Sequence, residues 1–302
     1  MYSGNGACFI CGEDNPAGLR VHYDEQTDGS LLAHFTAQER HQGYPGRMHG
    51  GIIAALLDET IGRAQDIAAA LAPRELRVRY RQPVPLGVEL AAAGWRAPAD
   101  GDDRAGAAEL RLPDGTVAVE AHARYLAAGA GWASDDRGPV AAWAAKPTVK
   151  KQPNSRMCFV CGIRNCAGLK VRFYEQADGG VLARFTPTRR HADDAGSLRL
   201  AAIAAAMDEA MGRAIMISYA DSIWGVTAEL NFRIHLPAPL GVELVAAGRI
   251  INEKSRLFEG RGALLLPDGT VAVEGHGRYV KLDMIALGGF DPESEEWGVR
   301  PD

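Results

Sequence analysis

Segments from the first half of this sequence return in its second half. Cys8-Phe9-Ile10-Cys11-Gly12 comes back as Cys158-Phe159-Val160-Cys161-Gly162, and Pro85-Leu86-Gly87-Val88-Glu89-Leu90 as Pro239-Leu240-Gly241-Val242-Glu243-Leu244. Leu112-Pro113-Asp114-Gly115-Thr116-Val117-Ala118-Val119-Glu120 comes back as Leu266-Pro267-Asp268-Gly269-Thr270-Val271-Ala272-Val273-Glu274. The offset grows from 150 to 154, because Arg63 to Glu75 spans 12 positions and Arg213 to Glu229 spans 16. Repetition over the whole chain reads as a tandem duplication of one domain, so whatever fold the first half takes the second must take too. A length of 302 residues accommodates two such domains. The expected division is 1–126 for the first unit, 127–156 for a linker, 157–284 for the second unit and 285–302 for an acidic tail.

Within each unit the pattern is strand, strand, long helix, then an antiparallel run of strands. Leu19–Glu25 and Leu31–Thr36 read as a strand pair turned at Asp28-Gly29. A Gly/Pro loop leads to a helix beginning at His49 and running to about Ala70, with Pro73 beyond it. Strand-like segments follow near 75–82, 88–96, 105–112 and 116–126, the last two turned at Asp114-Gly115. One long helix with an antiparallel sheet is an α+β layer structure. The linker is rich in Ala, Gly, Pro and charge, with Trp132 and Trp143 as points of attachment, and the tail reads as mobile.

Charge and composition narrow the function. A net charge of −5 argues against a nucleic-acid partner. No apolar run approaches the length of a membrane span, and the start lacks a signal pattern. Five cysteines, an odd number, suit a reducing cytoplasm better than a disulfide framework.

The helix start His49-Gly50-Gly51 carries the chemistry. Glycine lets another group approach the backbone closely, and free N–H groups at a helix start suit a developing negative charge. The helix then runs apolar through Ile52, Ile53, Leu56, Leu57 and Ile61, interrupted by Asp58 and Glu59. A carboxylate in such a helix is costly unless paired, exposed or working. Adjacent acids point about 100° apart, so at most one faces a given site. Gly50 and Asp58 lie roughly 12 Å apart along the axis. An oxyanion donor and a base must both come within about 3 Å of one reacting group. The acid facing Gly50 should therefore come from another helix, and the repeat supplies one, ending in Met207-Asp208-Glu209.

With the loop His41-Gln42-Gly43-Tyr44-Pro45-Gly46, then His49-Gly50-Gly51, then Asp58 nine positions after the His, the chain resembles the hotdog-fold acyl-CoA thioesterases of the phenylacetate-pathway (PaaI-like) type. Cys8-Phe9-Ile10-Cys11-Gly12 with Asn15-Pro16-Ala17-Gly18-Leu19 resembles the opening of many members, and the likeness extends over both repeats. The resemblance implies a double hotdog, two units side by side, each a long helix wrapped by an antiparallel sheet. It also implies that the first Gly after the His gives the oxyanion N–H. The Asp of the partner unit's helix then serves as general base or nucleophile, often beside a Ser or Thr on the next strand.

The two repeats depart from that pattern in complementary ways. The first keeps His49, Gly50 and Gly51 but has Pro73 at the hydroxyl position. The second has Arg199-Leu200-Ala201 at the helix start but keeps Asp208, with Thr227 at the hydroxyl position. One complete site is expected from His49, Gly50, Gly51, Asp208 and Thr227. Asp58, Leu200 and Arg199 should make a vestigial one.

Other readings stand beside these. His49 could simply cap its helix, and Asp208 could pair with Arg213. Glu59 and Glu209 read as exposed or structural. Gln42 is a candidate for the thioester carbonyl. Arg77, Arg79 and Arg81 share a strand face that could hold coenzyme A phosphates or be a solvated surface. The two Cys-x-x-Cys turns read as packed thiols, with a shared zinc site as the alternative. No metal or redox cofactor is expected, and a coenzyme A thioester is the expected substrate. An enoyl-thioester hydratase or a non-catalytic acyl-thioester binding protein are the rivals, and association of two chains is expected.

Overall fold

The computed structural model describes residue 6 and residues 8–65, 71–99, 103–127, 147–192, 196–219 and 222–301. In the first half, β1 (His22–Glu25) and β2 (Leu31–Thr36) precede α1 (Gly50–Ala64), followed by β3 (Leu71–Tyr80), β4 (Glu89–Ala97), β5 (Arg104–Arg111) and β6 (Val117–Ala127). After a short β7 (Thr148–Lys151), the second half runs β8 (Arg172–Gln176), β9 (Val181–Phe185), α2 (Leu200–Gly212), β10 (Ile223–Ile234), β11 (Leu244–Glu253), β12 (Leu257–Leu265) and β13 (Val271–Asp283). This is the expected α+β architecture.

All these strands join one antiparallel sheet in the order β1-β2-β4-β5-β6-β3-β10-β13-β12-β11-β9-β8-β7. The order on one side of the β3–β10 junction mirrors the other, with β7 added at one end. At the junction Arg77 pairs with Asn231, an offset of 154, the same offset that relates the repeated sequence on either side. Residues that correspond in sequence therefore sit opposite one another at the centre of the sheet.

Each helix packs on the strands of its own half and on the other helix. The apolar face predicted for α1 is the core: Ile52, Ile53, Leu56, Leu57 and Ile61 are buried. Transfer of such side chains from water favours folding by about 1.5–3 kcal/mol each. The α1–α2 crossing is close enough that a Cβ added to Gly51 would stand 2.3 Å from the Cα of Ala205. Gly51 is thus required by helix packing. The Phe9 and Phe159 rings, from equivalent Cys-x-x-Cys turns, meet with centroids 5.3 Å apart.

Two expectations are corrected. The helix of the first half ends at Ala64, short of the expected Ala70; residues 66–70 lie outside the described residues. The tail, expected to be mobile, is folded onto the second half. Phe290 is buried, Trp297 packs on the core, and Asn154 and Gly298 exchange two backbone hydrogen bonds of 2.9 and 3.1 Å. Trp132 and Trp143 of the linker lie outside the described residues.

Candidate active site

Asp208 stands in the ninth position of α2 and is buried. The Thr227 hydroxyl of β10 reaches both its oxygens, at 3.0 and 3.2 Å. The register of β10 against β13 shifts between Thr227 and Glu229. Such a bulge re-aims side chains locally. Opposite Thr227 in that ladder is Tyr279, whose hydroxyl donates to the Asp208 backbone carbonyl at 3.2 Å.

The start of α1 faces this carboxylate from the other half of the chain. A Cβ on Gly50 would lie 3.4 Å from Asp208 Oδ2. Gly50 is the first residue of the helix, so its N–H has no acceptor within the helix. The Tyr80 hydroxyl donates to the Gly50 carbonyl at 2.7 Å, fixing that peptide. His49, Gly50, Asp208 and Thr227 line one cavity, which continues to Tyr44, Trp224 and Trp297.

Burial pushes the Asp208 carboxyl up to about 6, with His49 and the Thr227 hydroxyl acting against that rise. A buried acid with this affinity for protons is ionised at neutral pH and still basic enough to take a proton. Asp58 is also pushed up to about 6 by burial, against the hydrogen bond from Tyr125. Proton affinity therefore does not separate the two acids; their surroundings do.

His49 caps α1. Its Nδ1 accepts from the Gly51 N–H at 3.0 Å, and its Nε2 faces Glu209 Oε1 at 3.4 Å. Both contacts are satisfied when Nε2 carries the proton, so the ring orientation and tautomer follow from the two partners together. Glu209 is held in turn by Arg213 Nε at 2.7 Å and by the Cys158 thiol, which donates at 2.9 Å. Burial favours the neutral form of Glu209, but Arg213 and His49 outweigh it and hold the carboxyl down to about 2.

Sequence reasoning reaches no further into this network than a structural role for Glu209. The spacing Glu209 to Arg213, four residues on a helix, is the signal available. The alternative pairing of Arg213 with Asp208 is not what forms, since Arg213 binds Glu209, the Pro153 carbonyl at 2.9 Å and Cys161 Sγ at 3.2 Å.

The equivalent positions of the other half are arranged differently. The Tyr125 hydroxyl donates to Asp58 Oδ1 at 2.7 Å, and the β3 bulge opposite Tyr125 carries Pro73. Leu200, in the place of Gly50, is buried. Arg199, in the place of His49, reaches Glu59 at 2.7 Å and Cys8 Sγ at 3.1 Å. Arg63 binds the opposite oxygen of Glu59 at 2.8 Å. Asp58, Leu200 and Arg199 thus surround a helix start with no glycine, and β3 offers Pro73 where β10 offers the Thr227 hydroxyl.

The structure separates the remaining candidates. Gln42 spends its amide oxygen on the Gly46 N–H at 3.0 Å, closing its own loop. Arg81 pairs with Glu120 at 2.7 Å and Arg77 with Glu229 at 3.0 Å on the outer face of the sheet. Arg79 lines a surface cleft with Lys254 and Arg278, next to Tyr80.

The ligand atoms of Cys8, Cys11 and Glu59 converge within 4.8 Å, and so do those of His49, Cys158 and Glu209. Cys8 and Cys11 fall in one set and Cys158 in the other, so among the described residues the two Cys-x-x-Cys turns do not gather as one zinc knuckle. Guanidinium groups already bond into both sets. Arg63 and Arg199 contact the first at 2.9 and 3.1 Å from sulfur, and Arg213 lies 2.7 Å from Glu209 in the second. Bound cations at those atoms do not suit a resident metal. The bond from Cys11, and after it the charge of Arg199, instead draw the Cys8 thiol down to about 6.

No protein-family profile and no curated protein matches this chain. Solved structures do. A protein of unknown function with a hot dog fold from Alicyclobacillus acidocaldarius is 16% identical, with a TM-score of 0.63 over 89% of this chain and 97% of that one. The tesB protein of Mycobacterium avium subsp. paratuberculosis is 14% identical, with a TM-score of 0.61 over 89% and 99%. An acyl-CoA thioesterase II from Mycobacterium marinum is 11% identical, with a TM-score of 0.61 over 87% and 96%. At these identities the likeness is one of fold, and that fold is the hotdog.

Proposed function

We propose that this chain is a double hotdog, two tandem units on the PaaI-like plan, that hydrolyses an acyl-CoA thioester at a single composite site. The observation that carries the proposal is the facing of Gly50, from one half, and Asp208, from the other, across one cavity. The scissile carbonyl would sit against the start of α1, where the Gly50 N–H stabilises the oxyanion as charge develops. Asp208, ionised at neutral pH, would either take a proton from water or attack the carbonyl carbon. Thr227 would hold the carboxylate, or the water it activates. His49 would act through the backbone, keeping the Gly51 N–H occupied so that the Gly50 N–H remains for the substrate.

Arg79, Lys254 and Arg278 line a cleft beside Tyr80 together with Glu229 and Glu259, and Arg79 and Lys254 are the groups there that would meet the phosphates of coenzyme A. Asp58, Leu200 and Arg199 would form the vestigial counterpart. No described helix is long and apolar enough to cross a membrane. We place the protein in the cytoplasm, in keeping with its odd number of cysteines.

A panel of acyl-CoA thioesters followed by thiol release tests the reading. Hydrolysis that is lost in Asp208→Asn is the expected result. Hydration of an enoyl thioester without thiol release, or binding without turnover, would replace it by one of the two rivals.

A further inference from the structure

The two Cys-x-x-Cys turns are alike in sequence and unlike in what their sulfurs meet. In the second half the Cys158 thiol donates to Glu209 at 2.9 Å, and Cys161 Sγ receives Arg213 at 3.2 Å. In the first half the thiols turn to each other, and Cys11 Sγ donates to Cys8 Sγ at 3.1 Å. Two further donors converge on Cys8 Sγ, the Cys11 backbone N–H at 3.3 Å and Arg199 Nη2 at 3.1 Å. Arg63 Nη2 stands 2.9 Å from Cys11 Sγ, and Glu59 Oε1 lies 4.0 Å from it. The difference begins at one position of the repeat. His49 reaches Glu209, whereas Arg199, in its place, has several guanidinium donors and bonds both Glu59 and Cys8.

A sulfur that accepts three donors, one of them a guanidinium, is held as the thiolate. The fall of Cys8 to about 6, caused first by the Cys11 bond, agrees with this, and the same bond keeps the proton on Cys11. Cys8 is buried and Cys11 is half-buried. The outer sulfur is thus the one a reagent meets, with a base 3.1 Å behind it. The turn is already closed by the Gly12 N–H on the Cys8 carbonyl at 3.0 Å. Joining the two sulfurs requires them to approach by about 1 Å, to normal disulfide length. In a reducing compartment such a pair cycles between its two states.

We infer that Cys8 and Cys11 form a redox-active dithiol, a modification site that hydrogen peroxide converts to a disulfide. Cys11 sulfur attacks one peroxide oxygen as its proton passes to the Cys8 thiolate. The O–O bond breaks, and the departing hydroxide takes that proton from Cys8 and leaves as water. Cys11 is then a sulfenic acid and Cys8 again a thiolate. Cys8 attacks the Cys11 sulfur, the S–S bond forms, and the hydroxide expelled takes a proton from solvent as a second water. The two sulfurs are oxidised and the two peroxide oxygens reduced. The site lies beside the start of α2, and the inference is independent of thioester hydrolysis.

The full chain is treated with micromolar hydrogen peroxide, the remaining thiols are alkylated over time, and tryptic peptides are read by mass spectrometry. Peptides 1–20, 157–164 and 165–170 separate the first pair, the second pair and the exposed Cys166. Cys8 and Cys11 should be lost together, as a disulfide that dithiothreitol restores, about tenfold faster than Cys166, the gain expected of a thiolate-assisted pair. In Cys8→Ser the base is gone, and Cys11 should oxidise no faster than Cys166. Arg199→Leu should slow the pair about tenfold by withdrawing the guanidinium from Cys8; if that variant fails to fold, Cys8→Ser still decides. Loss of the first pair no faster than Cys166, a fast Cys11 in Cys8→Ser, an unaltered rate in folded Arg199→Leu, or a disulfide forming first in 157–164 would overturn the inference.

Discussion

The two helix starts occupy equivalent places in the sheet and do different things. At the start of α1, His49 bonds the Gly51 N–H, reaches Glu209 across the helix pair and leaves Gly50 open toward Asp208. At the start of α2, Arg199 reaches across in the same way to Glu59, but it makes no side-chain cap, and Leu200 fills the place of the glycine. Both starts therefore keep the cross-link to the other half's glutamate, an imidazole in one case and a guanidinium in the other. Only one keeps an approachable backbone. The cross-link is common to both starts, whereas the open glycine is found at one of them, and on the proposed reading it serves the chemistry.

The sharpest way to break this comparison is to remove each aspartate in turn. Asp208→Asn should lower kcat for thiol release by roughly 10²–10⁴-fold, the range for loss of a general base. Asp58→Asn should stay within about threefold of the unaltered protein, since among the described residues its carboxylate is held by the Tyr125 hydroxyl and faces no open glycine. The reverse order of effects would move the working site to the other pairing, Asp58 with the start of α2.

Next in size is the backbone donor. Gly50→Val places a side chain whose Cβ would stand 3.4 Å from Asp208 Oδ2, in the space the carbonyl must enter. It should cost roughly 10²-fold in kcat, the loss typical of one oxyanion donor. Leu200→Gly should leave turnover unaltered, measured in the same assay.

The cross-link gives a smaller effect. Glu209→Ala removes the acceptor for His49 Nε2 and should lower kcat about tenfold by loosening the start of α1. Glu209→Gln keeps an acceptor oxygen and should recover part of that loss. A purely structural role would show as equal thermal destabilisation with no difference in kcat between the two variants.

The smallest signature is the pH profile. Asp208 must be ionised to act, and its carboxyl is pushed up to about 6, so kcat/KM should rise with pH through that value and level off above it. Asp58→Asn should leave this limb in place. A profile flat from pH 5 to 7 would remove Asp208 as the ionising group, since about 1 unit either side of its value brackets the transition.

Much of this arrangement is legible in the sequence. The repeat sets the element order and the mirrored sheet. The length of eight helical residues is enough to exclude Gly50 and Asp58 from one site and to pair Gly50 with Asp208. Thr227 enters through the family resemblance, which implies a hydroxyl on the strand after the helix.

The parts that escape share a cause: they depend on direction, which residue type does not carry. Glu209 looks like its neighbour Asp208, and only the four-residue step to Arg213 separates a structural network from a working acid. Gly51 reads as a second open backbone position, but it faces Ala205 and serves the helix crossing. Gln42 faces its own loop. In the tail, Glu293, Glu295 and Glu296 suggest a solvated segment, whereas Phe290 and Trp297 among them set where it goes.

The junction at Arg77 and Asn231 has a consequence for how such a molecule can change. Two separate copies of a half-length chain would meet there with the same residue on each side, and every substitution would appear twice. Here the central pair is already unlike, arginine opposite asparagine. A change from glycine to leucine at a helix start would strike both sites of a two-copy assembly at once and be eliminated by selection. Within one chain the same change strikes one site alone, and the other continues to work. On the composite-site reading, joining the two halves in one chain across β3 and β10 would let the residues of one site accumulate substitutions while those of the other site, drawn from both halves, remain under constraint.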